Sequence, residues 1–320
     1  MIPSYSIDIF PRLFHFKKPA GTSRGVYTER RSWYVRVASA ACPGREGWGE
    51  CAPLPQLSVD DLPDYEGVLR GICAEVARTG QVDTERWREY PSMLFGLETA
   101  LHHLERGTYA LWDTPFSRGE EGICINGLIW MGDHDAMYRQ IREKLEAGFR
   151  CVKLKIGAIG FEEELDLLRF IRRHFPAREV ELRVDANGAF APAEALDKLK
   201  RLAELDLHSI EQPIRAGQWD EMAGLTSVSP LPIAFDEELI GHCSLEAKRR
   251  LLDALHPQYI VLKPSLHGGF SGCREWIEEA EKRNVGWWIT SALESNVGLN
   301  AIAQWCATWH TRMPVSYTHL

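Results

Sequence analysis

Several common features are missing from this 320-residue chain, and each absence excludes something. None of its eight cysteines (Cys42, Cys51, Cys73, Cys124, Cys151, Cys243, Cys273 and Cys306) is spaced as a CxxC pair. Most sit in apolar stretches such as ICIN and FRCVKLK, which fits buried reduced thiols better than a disulfide framework or a zinc site. No GxGxxG turn follows the first strand, so the fingerprint of a dinucleotide-binding sheet is lacking. No apolar run approaches the ~20 residues of a membrane helix. Basic residues are outnumbered, 37 against 45 acidic, for a net charge of −8, which argues against nucleic acid as a partner. The start, MIPSYSIDIFPR, has neither a basic n-region nor an apolar h-region. A cytoplasmic protein without membrane association is therefore expected. What is present is ordinary globular material, 45% hydrophobic and 26% charged, without repeats or low-complexity tracts. At ~100–200 residues per domain, this length implies two domains or one barrel with an addition.

The order of the segments divides the chain. Residues 4 to about 55 read as strands and turns (SYSIDIFPRLFHF, SWYVRVASA, the glycine-punctuated GREGWGECAPLP). Residues 60–107 read as helical, with PSMLFGLETALHHLERG stopping at Gly107. From about Ile123 short apolar runs alternate with segments of helical period. The runs are ICINGLIW, RCVKLKI, VELRVDA, HSIEQP, LPIAFDE, QYIVLKP and VGWWITS. The helical segments between and after them are HDAMYRQIREKLEAG, FEEELDLLRFIRRHF, APAEALDKLKRLAEL, SLEAKRRLLDAL, GCREWIEEAEKR and NVGLNAIAQWCATW. Strand and helix in alternation mark parallel βα units. The expected fold is an α+β capping domain over residues 1–116, followed by a modified (β/α)8-type barrel over 117–314. Seven strands are legible and no eighth, so the barrel is expected to be truncated after its seventh βα unit, with an open edge that lowers stability. Residues 315–320, VSYTHL, read as a non-native tail. Trp130, Trp287, Trp288 and Trp305 fall in strands or on helix faces, which suggests core or pocket lining and not a sugar-binding surface.

Chemistry on a barrel gathers at the C-terminal ends of its strands. There the sequence places, strand by strand, Lys153 and Lys155, then Asp185, Glu211, Asp236, Lys263 and finally Ser291, with Glu294 just beyond. Asp185, Glu211 and Asp236 are one βα repeat apart, at spacings of 26 and 25 residues. Three carboxylates on neighbouring staves would raise one another's pKa unless a divalent cation joined them. Oxygen ligands without His or Cys select Mg²⁺, and Mn²⁺ takes the same donors. Glu237 and Glu238 adjoin Asp236 and are alternatives to it as ligands. The lysines on either side could face each other across the metal, and a second ammonium such as Lys153 would help to lower the pKa of a basic amine. Base, metal and opposed cation together describe proton abstraction beside a carboxylate, the pattern of Lys-and-Mg²⁺ enolising enzymes. Each residue also has a plainer reading. A lone lysine at a strand end is usually a solvated charge, and Asp185 before Ala186-Asn187-Gly188 could be turn chemistry. Those readings would all have to hold at successive strands.

At these residues the sequence resembles the enolase superfamily, in the two-lysine, muconate lactonizing enzyme-like subgroup, from about Ser4 to Trp309. Within it the chain is similar to the o-succinylbenzoate synthase family. That likeness rests on GWGECAPLP (47–55), INGLIWMG (125–132), VKLKIG (152–157), RVDANGAF (183–190), SIEQPI (209–214), IAFDEELIG (233–241), VLKPSLHGGF (261–270) and SALESNVGLNAIAQW (291–305). The resemblance implies a menaquinone-pathway dehydratase acting on a small carboxylate, with Lys155 as base and Lys263 as the opposed cation. It further implies metal on Asp185, Glu211 and Asp236, and support for those ligands from Asn187. The capping domain would close over the barrel mouth through Gly21–Gly25, where Arg24 could meet a substrate carboxylate. Ser291, Glu294 and Ser295 would line the mouth, with Asn296 capping the next helix. A racemase or epimerase of N-acylamino acids or dipeptides would use the same lysines and metal. A non-catalytic binding barrel would have to keep all of these residues unused. Oligomeric state is not encoded in any of these features.

Overall fold

The computed structural model describes residues 5–22 and 25–309. The described residues up to Arg106 build an antiparallel sheet with two helices. Strand β1 (Tyr5–Thr22) pairs with β2 (Gly25–Ser39), which pairs with β3 (Glu46–Cys51), in the order β1-β2-β3. Helices α1 (Tyr65–Thr79) and α2 (Pro91–Arg106) pack on this sheet. Pro91 opens α2 at a position where a missing N–H costs nothing, and Gly107, at φ 69°, ends it as the sequence indicated.

Glycine decides how closely β3 and α2 meet. A Cβ at Gly49 would lie 1.8 Å from the Gly96 carbonyl oxygen, and one at Gly47 would lie 1.9 Å from that of Ala100. The alternate residues of GWGEC thus leave one strand face bare, so that backbone rests on backbone. Gly49→Ala is expected to lower unfolding free energy by about 3 kcal/mol, because the obstacle is main chain and cannot rotate away. Urea denaturation of the variant checks this, and a loss under about 1 kcal/mol would show that the layers can part cheaply.

The rest of the described chain is a parallel curled sheet of seven strands, wrapped by helices, in the order β10-β9-β8-β7-β6-β5-β4. The strands are β4 (Gly127–Ile129), β5 (Cys151–Lys155), β6 (Glu181–Asp185), β7 (Ser209–Glu211), β8 (Ile233–Phe235), β9 (Tyr259–Leu262) and β10 (Gly286–Ile289). The helices are α3 (His134–Glu146), α4 (Phe161–His174), α5 (Pro192–Ala203), α6 (Trp219–Val228), α7 (Leu245–Leu255), α8 (Gly269–Glu281) and α9 (Asn296–Cys306). All seven strands legible in the sequence are present. The boundary expected at 116/117 falls in the turn-rich segment between α2 and β4. The tail expected at 315–320 lies outside the described residues.

Helix α6 is an addition to the sequence reading. It is only ten residues long and buries Met222, Leu225 and Thr226 alone, so its helical period is weak. Two further expectations need correction. Cys124, placed inside an apolar stretch, is exposed, whereas Cys51, Cys73, Cys151, Cys273 and Cys306 are buried, and all eight cysteines are free. Asn296 is the first residue of α9, and Ser295 holds the N-cap position.

The period of two along each strand separates packing from chemistry. Val152 and Leu154, Leu182 and Val184, Ile210, Ile233 and Phe235, and Ile260 and Leu262 face the helices in one core. The alternate residues point inside. A lower layer holds Arg183, whose guanidinium lies 4.4 Å from the Trp288 ring centre and donates to Glu181 at 2.7 Å. The upper layer, at the C-terminal ends, holds the charged groups.

Candidate active site

Parallel register brings the charged residues of the upper layer level. Lys155 pairs with Asp185, and Asp185 with Glu211, while Glu211 pairs with Ala234, two residues before Asp236. Lys153, Lys155, Asp185, Asn187, Glu211, Asp236, Glu237 and Lys263 all line one cavity. Its free space is about 640 Å³, a figure that includes the open mouth. Leu54, Leu57, Leu128, Trp130, Thr290, Ser291, Ala292 and Leu293 complete the wall. The lining thus combines charged groups with hydrocarbon, and the two meet where the Lys155 ammonium lies 6.0 Å from the Trp130 ring centre.

Lys153 donates to Glu211 Oε2 at 2.7 Å and stands 2.9 Å from Asp185 Oδ2. Lys155 donates to the same Asp185 oxygen at 3.2 Å and to Asn187 Oδ1 at 2.7 Å. Lys263 donates to Asp236 Oδ2. Asn187, at φ 43°, turns its amide toward Glu237 Oε1 at 3.0 Å while its backbone N–H donates to Asp185 Oδ1 at 3.0 Å. It thus touches Asp185, one of the ligands it was expected to support, and also the Lys155 amine.

Burial presses the Lys153 ammonium toward neutrality, but Asp185 and Glu211 outweigh it and raise its pKa above the ordinary lysine value. Burial acts on Asp185 in the opposite sense and is overcome by Lys153 and Lys155, so that its pKa stays below the usual carboxylate range. Glu211 is left at a disadvantage: burial, then repulsion from Asp185, pushes it up to about 8. Four carboxylates meet three ammonium groups along this wall. Moreover, Glu211 Oε1 and Asp236 Oδ1 are buried without a hydrogen-bond partner. Unsatisfied carboxylate oxygens of this kind, with neither His nor Cys among the described residues that line the cavity, fit a hard divalent cation. The carboxylates do not form a ready ligand set, however. Among the described residues no three His, Cys, Asp or Glu groups stand close enough to hold an ion. Lys153 bridges Asp185 and Glu211, and Lys263 occupies Asp236.

Two residues expected at the mouth are elsewhere. Ser291 lines the cavity, but Glu294 is buried away from it, accepting from Ala292 N–H at 2.7 Å and from the Ser265 hydroxyl. Ser295 donates to Glu50 through its hydroxyl at 2.6 Å and its N–H at 2.9 Å. Arg24 lies outside the described residues. The apolar wall of Leu54, Leu57 and Leu293 was not singled out in the sequence, although two of its members lie in or beside the GWGECAPLP motif.

A family model described as "Enolase C-terminal domain-like" matches residues 136–320, and one described as "MenC, N-terminal domain" matches residues 22–104. The chain is 47% identical to the o-succinylbenzoate synthase of Desulfotalea psychrophila, over 93% of this chain and 89% of that protein. The crystal structure of MenC from Desulfotalea psychrophila LSv54 matches 99% of this chain and 93% of its own at a TM-score of 0.79 and 40% identity. A dipeptide epimerase from Cytophaga hutchinsonii, complexed with Mg and the dipeptide D-Ala-L-Val, shares the fold at a TM-score of 0.81 and 20% identity. That match covers 99% of this chain and 87% of the epimerase. Curled parallel sheet, antiparallel N-terminal sheet and lysine-flanked carboxylates define an enzyme of the enolase-superfamily class, one that acts on small molecules. The chain belongs to the o-succinylbenzoate synthase family, whose members are hydro-lyases. The resemblance drawn from the motifs is therefore borne out. Among the described residues no helix is long and apolar enough to cross a membrane.

Proposed function

We infer that the chain dehydrates 2-succinyl-6-hydroxy-2,4-cyclohexadiene-1-carboxylate to o-succinylbenzoate, a step of menaquinone biosynthesis. The observation that carries this reading is the placement of Lys155 on β5 and Lys263 just after β9, flanking the carboxylates of β6 to β8 in one cavity. Neutral Lys155 takes the proton α to the ring carboxylate, forming its ammonium. The same ammonium then returns a proton to the departing hydroxyl, which leaves as water from the same face. Asn187 and Asp185 hold the Lys155 nitrogen in place between the two transfers. Lys263, on the other side, offsets the negative charge that builds on the substrate carboxylate. Asp185, Glu211 and Asp236 are the residues that would hold Mg²⁺. When bound, the ion would draw charge onto the carboxylate oxygens and acidify the α-proton. Loss of water makes the ring aromatic, so the second half of the reaction runs downhill. Leu54, Leu57, Trp130 and Leu293 provide an apolar bed for that ring.

A second reading, epimerisation of an N-acylamino acid or dipeptide, is favoured by the same pair of lysines on opposite sides. The test is an ultraviolet assay with Mg²⁺ that follows loss of the cyclohexadiene, run beside incubation of N-succinylamino acids in D₂O. Consumption of the diene with formation of the aromatic product is expected. Deuterium exchange at the amino-acid α-carbon with the diene untouched would overturn the dehydratase reading in favour of the epimerase.

A further inference from the structure

Leu293 forms part of the cavity wall from a backbone conformation that its type rarely adopts. Its φ is 65°, in the left-handed region where a Cβ crowds the following carbonyl. A branched, buried residue stays there only if its surroundings hold it. The side chain forms a cluster with Leu54, against which Leu57, Trp130, Phe16 and Tyr27 pack, and it lines the cavity, so the strained backbone aims hydrocarbon into the site.

Three buried charges fix the peptide groups on either side of it. The Arg30 guanidinium, from β2, donates to the Ala292 carbonyl and to the Ala52 carbonyl, the latter at 2.5 Å. Glu294 accepts from Ala292 N–H. Glu50, from β3, is fully buried and accepts from four donors. They are Ser32 hydroxyl at 2.9 Å, Ser295 N–H at 2.9 Å, Ser295 hydroxyl at 2.6 Å and Gly298 N–H at 3.0 Å. Gly298 admits this approach because a Cβ there would meet Glu294 Cβ at 2.8 Å and Glu50 Oε2 at 3.1 Å. Neither Arg30 nor Glu50 lines the cavity. Both belong to the N-terminal sheet, while the loop they grip follows β10 at the far end of the barrel sequence.

We propose that Arg30 and Glu50 are positioning residues: they clamp the turn after β10 so that Leu293 stays left-handed and presents its side chain to the apolar face of the substrate ring. Leu293 is then a specificity-determining residue, and the N-terminal sheet shapes the pocket through it without touching substrate. The identity of the ring rests on the proposed dehydratase reading, whereas the clamp itself does not.

The experiment is a double-mutant cycle of Glu50→Gln and Leu293→Ala. The glutamine amide cannot accept from every donor that faces Glu50, so the turn loses part of its hold. E50Q alone is expected to raise KM for the cyclohexadiene carboxylate about tenfold, with kcat within about twofold, as loss of uniform binding predicts. In the L293A background E50Q is expected to leave KM unchanged, because the residue it acts through is gone. An equal KM increase in both backgrounds would overturn the clamp. Glu50→Asp, which keeps the charge, is run through the same cycle in case the neutral variant fails to fold. A crystal structure of the folded variant gives a readout independent of turnover: Leu293 is expected to leave positive φ, and its staying there overturns the proposal. Should the wild-type chain not consume the diene, the dehydratase reading fails, and the φ of Leu293 still decides the clamp.

Discussion

Replacing Lys155 by alanine is expected to lower kcat/KM by about 10³- to 10⁴-fold while leaving the fold intact. Proton transfer by a positioned side chain contributes about 10²–10⁴-fold, and here one nitrogen serves both transfers, which places the loss at the upper end. The fold should survive because Asp185 keeps Lys153 at 2.9 Å and the Asn187 N–H at 3.0 Å after the amine is removed. Lys155→Arg separates charge from basicity: it keeps the cation but cannot give up its proton near neutral pH. K155R is therefore expected to be as inactive as K155A, and circular dichroism and melting of both should match wild type. If K155A kept its activity within tenfold, the base would have to be another group, and Lys263 would be the one to test next.

Removing divalent metal should have an effect of similar size. Dialysis against EDTA is expected to lower activity by about a thousandfold or more, since Lewis-acid stabilisation of the developing charge supplies several kcal/mol. Mg²⁺ should restore it, and Mn²⁺ in part. The variant Glu211→Gln links that effect to this cavity. It removes the carboxylate that burial and Asp185 push up to about 8, and with it one anionic ligand. Activity should fall about a hundredfold or more, and the rise in melting temperature that Mg²⁺ gives the wild-type chain should shrink, because a ligand stabilises only in proportion to its affinity for the folded state. Undiminished Mg²⁺ stabilisation in E211Q would place the cation elsewhere. Full activity in EDTA would remove the cation from the chemistry.

The charged layer was legible in the sequence because a strand end is a local feature. Each of Lys155, Asp185, Glu211, Asp236 and Lys263 closes a short apolar run, and parallel pairing does the rest by bringing successive ends level. The strand count was legible for the same reason. Helix α6 was not, since three buried side chains in ten residues leave little period to detect. Nor was the clamp around Leu293, whose partners are far apart in the chain: Arg30 reaches Ala292 across 262 residues, and Glu50 reaches Ser295 across 245. Glu294 was misplaced because proximity to a strand end says nothing about which way a side chain turns once the chain has entered a loop. Its carboxylate folds back on Ala292 and Ser265.

The alternation along the strands has a consequence for how such an enzyme can change its trade. On β5 the residues packed into the core, Val152 and Leu154, alternate with those that line the cavity, Lys153 and Lys155. A new reaction can therefore be installed by rewriting every second letter of a strand, leaving the masonry between the letters undisturbed.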